Sequence, residues 1–424
     1  MVTAQTRRAL TPFPLESVRA EFPALAIADD DRPRVYLDNP AGTQVPRRVA
    51  EAAARCLLET NANLGGFFTT SLAAEDITVR AHQAMARFLG AASEREVVIG
   101  PSMTTLTFAL SRSIGRTIQP GDEIVVTRMD HEGNVSPWLA MAEDRGAVVR
   151  WVPFDEQTWR IESDKLDAVL GEKTRIVALN YASNLTGSIN DVRRLVDRVH
   201  AAGALAYIDA VQFAPHGFID VQALDCDFLA CSSYKFFGPH MGIVWGRQSL
   251  LEELYAYKAR PQTSELPWKF ETGTPQIEQL AAVDATVGYF EWLGNACARS
   301  EGREAIRTAF EYASDYERTL AARLIDGLRA IPGVRIIGIS DPSQYEHRVP
   351  TVSFVHDRYA PAQIAEFLAK RNIFVWSGHN FALEIVRQLG IDEEHGVVRI
   401  GLAHYNTIDE VEQAIDAVTE ATRV

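Results

Sequence analysis

The chain has 424 residues, of which 47% are hydrophobic and 23% charged, and a formal net charge of −14 at pH 7. That length allows two domains with sizeable cores. The acidic balance argues against a general nucleic-acid or anionic-membrane surface, either of which calls for a basic stripe, but it leaves room for a small anionic ligand in a local pocket.

The first twenty residues include Arg7 and Arg8 but no apolar run suited to a signal peptide. No run reaches the roughly 18 apolar residues that a membrane span needs. The four cysteines, Cys56, Cys226, Cys231 and Cys297, show neither CxxC nor CxxH spacing. They read as isolated thiols without disulfides or structural zinc. The expectation is a cytoplasmic protein with no nucleic-acid or membrane partner and no metal.

Short apolar runs then alternate with amphipathic ones. EVVIG (96–100), EIVVT (123–127), VVRWVPF (148–154), RIVALNY (175–181), ALAYIDA (204–210), DFLACSS (227–233) and GIVWG (242–246) predict buried strands. They are short, rich in Val and Ile, and mostly non-alternating, as strands covered on both faces should be. Between them, Leu106, Ala109, Leu110 and Ile114 share one helical face, and so do Val192, Leu195, Val196 and Val199. This alternation predicts an α/β fold with a mainly parallel sheet flanked by helices.

A stretch near 255–275, with Pro261, Pro267 and Pro275, reads as a long excursion. Beyond residue 310 the rhythm becomes α+β. A helix at 313–330 leads to VRIIGI (334–339), TVSFVH (351–356), a helix at 361–371, NIFVWSG (372–378), VVRIGLA (397–403) and a last helix at 408–422.

Residues able to do chemistry fall just after the strands, where open parallel sheets bind ligands. Thr104, in SMTTLTFAL (102–110), stands where a helix begins, which suits either a phosphate or a simple N-cap. His131 follows the next strand and reads as a stacking proton shuttle or as a packed histidine. Asn184, in NYASNLTGS (180–188), reads as a hydrogen-bond donor to a ligand or as an Asx-turn residue. Asp209 ends ALAYIDA. A carboxylate there can hold a pyridine nitrogen protonated, or simply cap a turn. Lys235, in SSYKFFGPHMG (232–242), follows an apolar strand directly. Burial there lowers a lysine pKa, as Schiff-base chemistry requires, whereas a surface lysine would only snorkel outward.

Taken together, these segments resemble the class V aminotransferase family of fold-type I pyridoxal phosphate enzymes, and most of all its cysteine-desulfurase-like branch. The resemblance runs from VYLDNPAG (35–42) to HYNTIDEVEQAI (404–415) and is most specific in AYIDAVQFAPH (206–216), SSYKFFGP (232–239) and VRIGLAHYNT (398–407). It implies a large domain over 36–300 with a seven-stranded sheet, and a small domain built from 15–35 and 301–424. It implies pyridoxal phosphate held covalently by Lys235, with Asp209 on the pyridine nitrogen. Gln212 and Asn184 would lie near the phenolic oxygen, and His131 over the ring. Met103, Thr104, Ser232 and Tyr234 would hold the cofactor, mainly at its phosphate, with Thr274 contributing across a homodimer interface. Arg399 would clamp the substrate carboxylate, with Asn39, His379 and Phe381 completing the pocket.

Two positions depart from the family pattern. Tyr234 replaces the usual histidine before the lysine, and a tyrosine still donates one hydrogen bond. Phe381, in WSGHNFALE (376–384), stands near the position of the sulfur-accepting cysteine, and no cysteine follows Cys297. Without a thiolate there, a persulfide cannot form by the usual route. The expected enzyme therefore acts on an α-amino acid, favouring β-elimination from a cysteine-like or S-substituted substrate. Transamination and epimerisation are the alternatives, and a pyridoxal-phosphate-binding regulatory protein is the reading without turnover.

Overall fold

The computed structural model describes residues 12–423, so Arg7 and Arg8 lie outside the described residues. The Val- and Ile-rich runs form the strands β1 (Val97–Gly100), β2 (Glu123–Thr127), β3 (Val148–Val152), β4 (Thr174–Asn180), β5 (Leu205–Asp209), β6 (Phe228–Ser232) and β7 (Gly242–Gly246). They make one seven-stranded sheet in the order β1-β7-β6-β5-β4-β2-β3. Six strands run parallel, and β7 runs against both its neighbours. The connection from β6 to β7, residues 233–241, is shorter than the roughly dozen residues a parallel crossover needs, which forces the reversal.

Every residue of β1, β6 and β7 is buried. The expected buried run at 148–154 is corrected by the structure: β3 is an edge strand whose first four residues are exposed or half-buried. Helix α1 (Met103–Gly115) buries Leu106, Leu110 and Ile114, with Ala109 only half-buried at the margin of that face. Helix α2 (Val192–Ala201) buries Val192, Leu195, Val196 and Val199 together.

A second sheet, of β8 (Val334–Ile337), β9 (Thr351–His356), β10 (Trp376–Gly378) and β11 (Val397–Gly401), is antiparallel in the order β8-β9-β11-β10. The run at 372–378 is not one strand. Ile373–Phe374 pair in parallel with Val35–Tyr36, while Trp376–Gly378 pair with β11. Helix α3 (Ile277–Ala298) is followed by α4 (Gly302–Arg329), which begins about three turns before the predicted start. The last helix, α5 (Ile408–Ala421), is capped reciprocally by Thr407 and Glu410.

Each of the two cores draws on several segments of the chain. Val18 and Phe22 belong to the core of the large sheet, whereas Val35 and Leu37 belong to the core of the second. Helix α4 serves both: Ile306 and Phe310 pack in the first core, and Leu320, Leu324 and Leu328 in the second. A rigid helix shared between two cores couples them mechanically. The carboxyl ends of the parallel strands thereby face strands β10 and β11 across one cavity.

Candidate active site

Adjacent parallel strands put their last residues on one edge. Asp209 ends β5, Ser232 ends β6 and Asn180 ends β4, and all three line the cavity. A single 3-10 turn over Ser233–Lys235 then swings Lys235 back over that edge. The cavity measures about 830 Å³ and also gathers Met103, Thr104, His131, Asn184, Gln212, Tyr234, His379, Phe381 and Arg399.

Asp209 is 5% exposed, and its Oδ1 accepts a hydrogen bond from the Val211 N–H at 2.8 Å. Burial raises its carboxyl to about 7, against the pull of that N–H and of the Lys235 charge. Burial likewise lowers the Lys235 amine to about 7, helped by Arg399 and opposed by Asp209 and Asp38. The Lys235 Nζ donates to the Pro40 carbonyl and lies 4.9 Å from the Tyr234 ring centroid. Tyr234 in turn stacks on His240, with centroids 4.9 Å apart. Gln212 is held in place by a bond from its Nε2 to the Thr351 hydroxyl at 3.1 Å.

His131 caps a short 3-10 turn, its Nδ1 accepting the Gly133 N–H at 2.8 Å. That bond puts the proton of the neutral ring on Nε2. Burial, then Lys235 and Arg399, lower the imidazole to about 3, so it stays neutral. Gly133 lets the elements meet: a Cβ there would stand 2.9 Å from the Thr104 hydroxyl and 3.0 Å from His131 Nδ1.

Ser102, not Thr104, caps α1, its hydroxyl accepting the Thr105 N–H at 3.1 Å. Thr104 lies two residues further, exposed in the first turn, while Met103 is buried at the cavity wall. Gly242 on β7 permits this helix start to approach, since a Cβ would come within 2.1 Å of the Met103 nitrogen. The exposed first turn offers hydroxyls and unpaired amides to an anion.

Arg399 is 4% exposed, and its Nη1 donates to the Asn184 carbonyl at 3.0 Å. Its buried Nε has no partner, which leaves a guanidinium edge ready for an acceptor. Burial lowers it to about 10, still charged at neutral pH. Asn184 donates through Nδ2 to the Asn380 carbonyl at 2.8 Å, and His379 Nδ1 accepts the Phe381 N–H at 3.1 Å.

Two sequence expectations fare differently. Asn39 lies outside the cavity lining, and its side chain is bonded within the fold. Its amide donates to the carbonyls of Tyr36 and Gly401 and to the Asn406 side chain, and its oxygen accepts the Tyr405 hydroxyl. Thr274 is exposed and lies outside the cavity lining of this single chain. Three contributors escaped sequence reasoning: Asn180, Trp376 and Asp38. Burial raises the Asp38 carboxyl, against the pull of a backbone hydrogen bond and of Arg399 and Lys235, to both of which it is a counter-charge. Its signal was a carboxylate inside the apolar VYLDNP segment.

The class-V aminotransferase family profile matches residues 35–414. The chain belongs to that family. It is 33% identical over 416 residues to an aminotransferase-like protein of Gibberella zeae, covering 96% of this chain and 98% of that protein. It is 29% identical to a cysteine desulfurase of Pectobacterium carotovorum over 427 residues, or 97% of this chain and 99% of that one. Among solved structures, an Escherichia coli cysteine desulfurase superposes with a TM-score of 0.84 at 27% identity, covering 97% of this chain and 99% of its own. A Thermococcus onnurineus cysteine desulfurase gives 0.85 at 25% identity, covering 98% and 100%.

The protein is thus a pyridoxal-phosphate-dependent enzyme of the class V aminotransferase family, with the fold-type I architecture. The residues present fit the cofactor. The cavity offers a buried lysine of lowered basicity, a buried carboxylate with an oxygen to spare, a neutral imidazole and an open helix start in one place. No helix among the described residues is long and apolar enough to cross a membrane, and none of them forms a metal-binding cluster.

Proposed function

We propose that the enzyme cleaves the C–S bond of S-substituted cysteines by β-elimination. In the balanced reaction the α-C–H and β-C–S bonds break, and the thiol leaves carrying a proton. Water then converts the remaining three-carbon fragment to pyruvate and ammonium. Pyridoxal phosphate, when bound, supplies the sink for the electron pair left at the α-carbon.

The chain's own residues supply the rest. Lys235 holds the cofactor, and its amine, when free, takes the α-proton, for which a pKa of about 7 is well placed. Asp209 pairs with the pyridine nitrogen, and His131 presents a neutral ring face. Asn184 and Gln212 serve the phenolic oxygen, and Ser232, Tyr234, Met103 and Thr104 serve the phosphate end. Arg399 takes the substrate carboxylate on its unpartnered edge. His379 and Phe381 bound the substrate side. The proposal extends to a cytoplasmic homodimer in which Thr274 reaches the partner's cofactor, which accounts for its place outside the lining.

One observation carries the choice of reaction. No cysteine is among the residues lining the cavity, and all four cysteines of the chain are buried elsewhere. Burial also raises the thiols of Cys226, Cys231 and Cys297, which makes them poor nucleophiles. Sulfur transfer to the protein thus lacks an acceptor, whereas release of an intact thiol needs none. Likeness to the aminotransferase-like Gibberella protein supports amine transfer as the second reading. Incubation with S-alkyl cysteines decides between them. Equal amounts of thiol, pyruvate and ammonia are expected, and amine transfer to a keto acid with no thiol released would overturn the lyase reading.

A further inference from the structure

The carboxylate clamp and one wall of the cavity share a strand pair. Trp376 on β10 stands directly opposite Arg399 on β11 in an antiparallel register. Opposed residues project to the same face, with Cβ atoms about 5 Å apart, and both line the cavity. A substrate whose carboxylate rests on Arg399 has an indole beside it.

Phe381 adds a second aromatic surface. Its ring stacks on His131 with centroids 5.4 Å apart and meets His379 edge-on at 6.1 Å. Phe381 is 63% exposed and Trp376 50%, although both belong to a concave site. Large apolar side chains left open inside a cavity mark a binding surface.

The backbone that presents Phe381 is held against its preference. Gly378, Asn380 and Phe381 have φ values of 111°, 50° and 59°, and the left-handed region is rare for a bulky residue. Such a conformation persists where the surroundings over-determine it, which happens most at ligand sites. Here the Asn184 amide donates to the Asn380 carbonyl and the Glu132 N–H to the Phe381 carbonyl, each at 2.8 Å. These bonds fasten the loop to the opposite wall, so the ring is held at the cavity mouth.

We infer that Trp376 and Phe381 form an aromatic clamp that selects amino acids whose side chain carries a large apolar group, above all an aryl ring. The inference rests on the amino-acid site proposed above but not on elimination. An apolar ring withdrawn from water between two aromatic faces gains both burial and stacking energy. A cysteine-sized side chain has no ring to stack and little apolar area to bury, so it gains less.

The test uses binding, with analogues that carry no leaving group. Calorimetric titration of the cofactor-loaded enzyme compares norvaline with its ω-phenyl derivative, the carbon isosteres of S-methyl and S-benzyl cysteine. The phenyl compound is expected to bind at least about tenfold tighter. Phe381→Ala and Trp376→Ala should each cut that ratio to about threefold or less, and Phe381→Tyr should keep it. An unchanged cofactor absorbance spectrum reports that each variant is folded and loaded. Equal affinities in the wild type, or a preference that survives both alanine variants, would overturn the clamp. Failure of both analogues to bind would overturn the clamp together with the amino-acid site. A pyruvate assay on S-benzyl cysteine, run alongside, reports separately on elimination.

Discussion

Arg399 and Asn184 tie the two halves of the site together: the guanidinium of β11 donates to the carbonyl of the loop after β4 at 3.0 Å. Nη1 is thereby committed to the protein, and Nε is left open in a buried setting. The arginine is oriented before any substrate arrives, so little ordering cost falls on binding.

Replacing Arg399 by lysine keeps the charge but removes the planar fork. Charge-assisted bonds of this kind contribute about 1.5–3 kcal/mol each. The expected outcome is a rise in KM of roughly tenfold to a hundredfold for amino-acid substrates. Steady-state kinetics check it, and an unchanged KM would remove Arg399 from the carboxylate site.

Cofactor uptake should report the depressed Lys235 amine. Only the unprotonated amine attacks an aldehyde, and burial together with Arg399 brings its pKa from 10.5 down to about 7. Cofactor-free protein mixed with pyridoxal phosphate should gain its absorbance band faster as pH rises, with a midpoint about 7. The Asp209 carboxyl, raised to about 7 by burial, ionises in the same window. His131, lowered to about 3, contributes nothing there. A midpoint above pH 9, as an exposed lysine would give, contradicts the buried placement.

Asn39 should behave as a structural residue. Asn39→Ala leaves the buried Gly401 carbonyl and the Tyr405 hydroxyl without this partner. Each loss costs about 1–3 kcal/mol, so denaturant unfolding should show destabilisation of roughly 2–6 kcal/mol. Substrate KM should change little, because the side chain does not face the cavity.

A second buried pair lies outside the active site. His216 Nδ1 meets Glu317 Oε2 at 2.9 Å, with both side chains at most 5% exposed. Removing His216 leaves the buried Glu317 carboxyl, which burial pushes up, without this hydrogen bond, at a cost of about 1–3 kcal/mol. His216→Ala should therefore lower stability by that order, and an effect below about 1 kcal/mol would contradict it.

Much of this was legible in the sequence. The parallel strands announce themselves as unbroken Val and Ile runs, and the chemistry follows from strand ends, which is why Asp209, Lys235, His131 and Asn184 meet as expected. A buried asparagine such as Asn39, which satisfies backbone carbonyls, looks in sequence like one that meets a ligand. Trp376 escaped because the break at Val375, between two different pairings, leaves no mark in an apolar run. The early turns of α4 were readable: Ala305, Ile306, Ala309 and Phe310 keep the helical spacing and are buried. The edge position of β3 is set by which strands follow it in space, and its own residues do not encode that.

The central claim is that Lys235 carries the cofactor, and reduction tests it most directly. Borohydride treatment of the pyridoxal-phosphate-loaded enzyme, followed by peptide mass mapping, should place the pyridoxyl mass on Lys235 and on no other lysine. An unmodified Lys235, or a label on a different residue, would contradict the account.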